Sequence, residues 1–253
     1  MSLSAIPAWA LGILLISVRI AMLFIATPLF GAIPIPPLAR VILVVSLAAG
    51  MAGALPVPIV VPLDLPSLAM QVLHEAVVGG VVAAALFGAF AAFQFAGRLL
   101  DFQIGFGVAS LVDLATRNNA PLLGTLLSML AAVFFFAIGG HLALFRLVSQ
   151  SLSTFPPGGS IASLDLGGLI AQFGLCFSFG LVLVAPVVLC LFLVDVGMAF
   201  MSRTMPQMNV FVMSMALKAM VGLAVLAIAV PFAGAAMRRL FDAMFHGLAR
   251  VFL

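Results

Sequence analysis

Residues 94–121 read QFAGRLLDFQIGFGVASLVDLATRNNAP, and four of the chain's seventeen charged side chains fall in this one stretch between long apolar blocks. If the helix of the preceding block runs on to Asp101, then Gln94, Arg98 and Asp101 share one face, and the spacing predicts that Arg98 and Asp101 pair. Gln103 follows, then Gly105 and Gly107 on either side of Phe106. Two glycines around an aromatic ring make a poor helix and a deformable turn with a bulky tip. Pro121 closes the stretch, because the residue before a proline is pushed out of helical geometry. The expectation is a loop, residues 105–121, inserted between apolar helices.

Those flanking blocks set the class. Of 253 residues, 66% are hydrophobic and 7% charged, with a mean hydropathy of +1.40. Soluble domains carry about 25% charged residues, so the chain is read as an all-α integral membrane protein forming one membrane domain over residues 1–253. No Lys or Arg precedes Arg19, so the basic start of a cleaved signal peptide is missing and the first apolar segment is expected to remain. The net charge of +3 is small and scattered, which leaves nucleic acid no basic surface. Cys176 and Cys190 would lie roughly 21 Å apart along one helix, beyond disulfide reach.

About six apolar segments are expected if each needs roughly 20 residues to cross. The first, Pro7 to Phe30, holds Arg19 near its middle, where the guanidinium must face protein or water. Thr27 to Arg40 is a proline-rich connector and Val41 to Val61 the second segment. The third begins at Leu68 and carries Gln71, then Glu75, which needs a buried partner. Leu122 to Gly140 is the fourth. Ser151 to Asp165 reads as a loop. Leu166 to Val194 is the fifth, kinked at Pro186 and ended by Asp195. Met198 to Lys218 is broken at Pro206-Gln207. Its methionines 198, 201, 205, 208 and 215 recur near one helical face, as a sealing surface or as adaptable packing. Val221 to Phe232 is the sixth segment, and residues 237–253 read as an amphipathic interfacial C-terminal helix, held by Arg238, Arg239 and Arg250 at a cytoplasmic anionic surface.

Enzymatic readings find little support. His74-Glu75 begins like a zinc-binding H-E-x-x-H helix, but Val78 stands at the second histidine's place. Ser110 and His141 are a poor protease pair, because no G-x-S-x-G setting surrounds Ser110. A secondary transporter built on helices broken at Gly105 and Pro206 stays open.

Along nearly its whole length the chain resembles the FliR/SctT family of flagellar and virulence type III secretion export-gate proteins. The resemblance is carried by Arg19, Pro28, Phe30, Gly31, Pro36 and Arg40; by Glu75 and Gly79; by the spaced pattern of Gln94, Gly97, Asp101, Gln103 and Gly105; by Gly139-Gly140-His141 and Ala185-Pro186; and by Pro206-Gln207-Met208-Asn209-Val210-Phe211 with Lys218. Leu114 departs from the family, which has proline after the aspartate matching Asp113. The run from Ser151 to Pro156 looks flagellar, whereas Ser214-Met215 looks more like the virulence branch.

The resemblance implies a non-enzymatic, cofactor-free, pore-forming component of the flagellar export gate in the bacterial inner membrane and basal body. It implies tilted helical hairpins, FliP-like and FliQ-like partner subunits, an FlhB-like component at the cytoplasmic face, and unfolded substrates in transit. The segment 105–121 would be the channel's re-entrant plug, with Gly105, Phe106, Gly107, Val108, Leu111, Asp113 and Arg117 as its working residues. Arg19, Glu75, Arg98, Asp101, Gln103 and Lys218 would make polar contacts between hairpins or subunits.

Overall fold

The computed structural model describes residues 8–27, 36–54, 64–107, 121–157, 165–205, 207 and 209–252. Among them the chain is all-α. Seven helices follow in order: α1 (Ala8–Ala26), α2 (Pro37–Ala54), α3 (Leu65–Ile104), α4 (Leu122–Ala137), α5 (Gly140–Thr154), α6 (Leu166–Thr204) and α7 (Val210–Val251). Of these, α3, α6 and α7 are each long and apolar enough to cross a membrane. The pair α4 and α5, broken at Ile138-Gly139, makes a fourth candidate span, while α1 and α2 are shorter apolar helices. Gly139 takes φ +73 at the break, a left-handed conformation that glycine adopts without a Cβ penalty.

Several helices outrun their sequence signals. Ser151 to Thr154, expected in a loop, form the last turn of α5. Asp195 does not end the fifth segment; α6 continues through it to Thr204, and Pro186 sits inside the helix. The tail forms the last part of α7, which runs from Val210 to Val251 through Pro231. Helix length is set by packing as well as by propensity, and one polar residue on an exposed face does not stop the backbone ladder. The helices do break between Thr204 and Val210. Met198 and Met201 therefore lie on α6 and Met215 on α7, so the methionines do not share one helical face.

The start of α3 is capped from outside the helix. The Asp64 carboxylate accepts the Ser67 N–H at 3.1 Å and also the Ser67 hydroxyl. These bonds hold its carboxyl below the usual range. The cap is therefore present above the unfolded-state pKa of an aspartate and is lost as pH falls through the lowered folded value.

The chain divides into two compact units: 1–88 with 139–173 and 244–253, and 89–138 with 174–243. In the first, α1 packs on α2 and also lies close to α3. A Cβ on Gly79 would sit 2.9 Å from the Arg19 Cα, so only glycine lets the two backbones meet there. The core of the second gathers Ala96, Leu100 and Ile104 of α3, Leu123 and Leu127 of α4, Val184, Val187 and Leu191 of α6, and Leu226 of α7. Phe90, Phe93, Phe135 and Phe241 cluster in the same unit with ring centroids 5.3 to 6.0 Å apart.

Candidate functional site

Polar chemistry concentrates at one centre in each unit. In the first, Arg19 of α1 and Glu75 of α3 are 1% and 2% exposed and face each other. Arg19 Nε donates to Glu75 Oε2 at 2.7 Å and Nη2 to Oε1 at 3.0 Å, a bidentate fork that lysine cannot make. Two further donors are also used. Nη1 donates to Ser151 Oγ at 3.1 Å and Nη2 to the Phe155 carbonyl at 2.8 Å, while Ser151 Oγ donates onward to Val148 O at 2.7 Å. Four guanidinium N–H bonds and both carboxylate oxygens are thus engaged. They are placed to hold α1, α3 and α5 together rather than to bind a ligand.

The second centre frames the 105–121 segment. Val108, Leu111, Asp113 and Arg117 lie outside the described residues; both approaches to the segment lie within them. On the entering side Gly105 takes φ +98, where a side chain would be strained. Phe106, expected as the tip of a loop, instead packs against the core cluster. Gly107 is half-buried beside it.

On the returning side α4 begins after Pro121, which has no side chain able to cap. Its free N–H groups are met from α3. The buried Asp101 carboxylate accepts the Leu123 N–H at 3.0 and 3.1 Å and the Gly124 N–H at 3.2 Å. A carboxylate at a helix N-terminus also interacts favourably with the helix dipole. Close approach makes this possible: a Cβ on Gly97 would lie 2.6 Å from the Leu123 carbonyl oxygen. Asp101 is therefore not the partner of Arg98, which is exposed and has no ion pair among the described residues. Three backbone contacts already occupy the carboxylate, and pairing would draw Arg98 out of solvent.

The Asp101 cap is testable alone. Asp101→Ala leaves two buried N–H groups without acceptors, at about 1–3 kcal/mol each. It should lower the melting temperature of the purified complex by several degrees, and Asp101→Asn, which keeps one oxygen acceptor, should fall between the two. Equal melting temperatures for all three proteins would mean the cap is dispensable.

The other expected residues are dispersed in the second unit. Gln103 lines an apolar groove with Pro186, Leu189 and Phe192 of α6. Lys218 of α7 pairs with Asp195 of α6 at 2.5 Å, with side chains 19% and 42% exposed. Pro206 lies outside the described residues. Asn209 starts α7, its Oδ1 accepting the Val212 N–H at 3.4 Å. Gln207 and Phe211 are exposed.

Sequence reading missed Ser151 and the Phe155 carbonyl as partners of Arg19, and Asp195 as the partner of Lys218. Only Asp195 left a signal, being an acid inside an apolar block. Among the described residues no three His, Cys, Asp or Glu side chains are grouped to hold a metal.

Residues 10–244 match the model of a family described as bacterial export proteins, family 1. The flagellar biosynthetic protein FliR of Bacillus subtilis is 31% identical over 212 residues, covering 81% of this chain and 80% of that protein. FliR of Escherichia coli is 31% identical over 164 residues, 64% of this chain and 63% of that protein. The secretion system apparatus protein SsaT of Salmonella typhimurium is 31% identical over 150 residues, 57% of this chain and 56% of that protein.

Proposed function

The chain belongs to family 1 of the bacterial export proteins, and from that premise we propose that it is a pore-forming subunit of the flagellar type III export gate whose segment 105–121 contributes the plug. The family is a structural component of the export apparatus rather than a family of enzymes, and helices able to span put this member in a membrane.

One observation carries the assembly reading. At 1.5 Å per residue, helices of 40, 39 and 42 residues are each roughly 60 Å long, twice the ~30 Å hydrocarbon core of a bilayer. Yet in the most apolar stretch of α6 only 22% is buried within the chain, and in α7 only 17%, against 67% for α3. Apolar side chains stay exposed along α6 and α7 from Ile170 to Phe200 and from Phe211 to Phe232. A bilayer core of ~30 Å covers the exposed run of α7, roughly 33 Å from Phe211 to Phe232, but not all of that of α6, roughly 46 Å from Ile170 to Phe200; in this reading other subunits cover the rest. FliP-like and FliQ-like subunits are the proposed cover, with an FlhB-like component at the cytoplasmic face, in the inner-membrane part of the flagellar basal body. Unfolded substrates would cross through the pore so formed.

Co-expression tests this directly. A tagged chain should purify with FliP-like and FliQ-like subunits and should aggregate or be degraded without them; a well-behaved lone protein in mild detergent would refute the assembly. The virulence branch is the second reading, because SsaT matches at the same identity as the flagellar relatives. Deleting the gene separates the two, with loss of motility marking the flagellar system.

A further inference from the structure

In the second unit α4 and α7 run side by side and leave a groove of about 320 Å³ between them. Leu127 and Leu226 close one end of it in the shared core. Further along, Phe134 stands over Gly234, its Cε2 3.5 Å from where a Cβ would be, and Ala137 and Met237 line the far end. Every lining residue is apolar, so nothing in the groove could orient a polar ligand; its occupant is hydrocarbon. Val133 on the rim is 69% exposed, which opens the groove sideways to the space that lipid tails fill. A helix of a partner subunit, about 10 Å across, is too wide for this volume, whereas one extended chain fits.

Charge marks the mouth. No charged residue stands on α7 between Lys218 and Arg238, a stretch of roughly 29 Å at 1.5 Å per residue and about the thickness of the hydrocarbon core. The lining of the groove on α7, Leu226 to Met237, covers roughly 17 Å of this, about one leaflet. It ends where Arg238 and Arg239 begin, both exposed and in no ion pair among the described residues. Pro231, Gly234 and Arg238 follow at i, i+3 and i+7, so Arg238 stands on the same stripe of α7 as the lining. Asp242, also exposed, comes one turn later and offsets one of the two positive charges. We infer that this groove is a binding site for one anionic phospholipid, with an acyl chain between α4 and α7 and the phosphate at Arg238 and Arg239. The apolar walls alone would accept the tail of any lipid; the two arginines at headgroup depth select a negative one. The site does not depend on the role of residues 105–121 and requires only that the chain lies in a membrane.

The test uses the complex co-expressed with its partner subunits, purified in mild detergent and given a phosphatidylglycerol that carries a diazirine in one acyl chain. After illumination, residues 127–137 and 226–237 should carry the label. Unlabelled phosphatidylglycerol should compete on the order of thirty-fold better than phosphatidylcholine. Arg238→Gln with Arg239→Gln should erase that difference, while Arg250→Gln, twelve residues further along α7, should keep it. Gly234→Leu, whose side chain fills the groove, should cut labelling of both stretches several-fold. Equal competition by the two lipids overturns the inference, as does an Arg250→Gln effect as large as that of the double variant or label that lands elsewhere on the chain. Should Gly234→Leu disturb assembly, Val133→Trp covers the groove from its exposed rim and takes its place; labelling at the parent level in the groove variant again overturns the site. If both groove variants lose a partner subunit, that subunit is the occupant and the lipid is not.

Discussion

Arg19→Met should leave little assembled protein in the membrane. The substitution keeps side-chain length and apolar packing but strands the Glu75 carboxylate, 2% exposed and held by two guanidinium bonds. Breaking a buried pair from one side costs about 3–5 kcal/mol, against a total stability of about 5–15 kcal/mol for a typical domain. The Phe155 carbonyl loses its donor as well. Glu75→Gln should be milder, because a neutral amide oxygen still accepts from Arg19. The informative variant removes both charges: Arg19→Met with Glu75→Met should recover most of the loss, since apolar replacement of a whole buried pair is often close to neutral. Accumulation in the membrane fraction and the denaturant midpoint of the purified complex give the comparison. If the double variant is as poor as Arg19→Met, the charges serve something other than packing the first unit.

Each member of that pair was legible as a buried charge in need of a partner, because neither alone is tolerable in an apolar helix; that the two would meet each other was not. Asp101 was legible as a position and not as a role. Its partners are the N–H groups of Leu123 and Gly124, and backbone donors leave no side-chain signal; spacing on one helix pointed to Arg98 instead. The missed ends of α5 and α6 have a common physical origin. Polar residues such as Ser151 and Asp195 look like punctuation when a helix is assumed to stop with the bilayer. At 39 and 42 residues α6 and α7 are about twice that length, α5 is shorter at 15 residues, and Ser151 and Asp195 each find a partner on a neighbouring helix. Asp195 ends nothing because Lys218 meets it from α7. The break between Thr204 and Val210 was legible from the proline in that stretch of sequence, since proline lacks a helix-continuing N–H, and Asn209 supplies the cap that starts α7.

Replacing residues 108–119 by a glycine-serine linker of equal length should make the complex leak ions while its composition and melting temperature stay near those of the parent. The frame of the segment does not need its interior. Phe106 is anchored on the core and the return to α4 is capped by Asp101, so both ends stay in place when the middle is exchanged. What the exchange removes is the apolar bulk of Val108, Leu111 and Leu114, the kind of side chain that empties a narrow passage of water. It also removes Asp113 and Arg117, a pair at i and i+4 worth about 0.2–0.5 kcal/mol if helical and exposed, weak enough for a passing chain to displace. Phe106→Ala is the control. Its ring packs on the core, so that variant should lower the melting temperature more than it raises conductance. A linker complex that assembles and stays as tight to ions as the parent would show that residues 108–119 are not the seal, and the methionines on either side of Pro206 would become the next to replace.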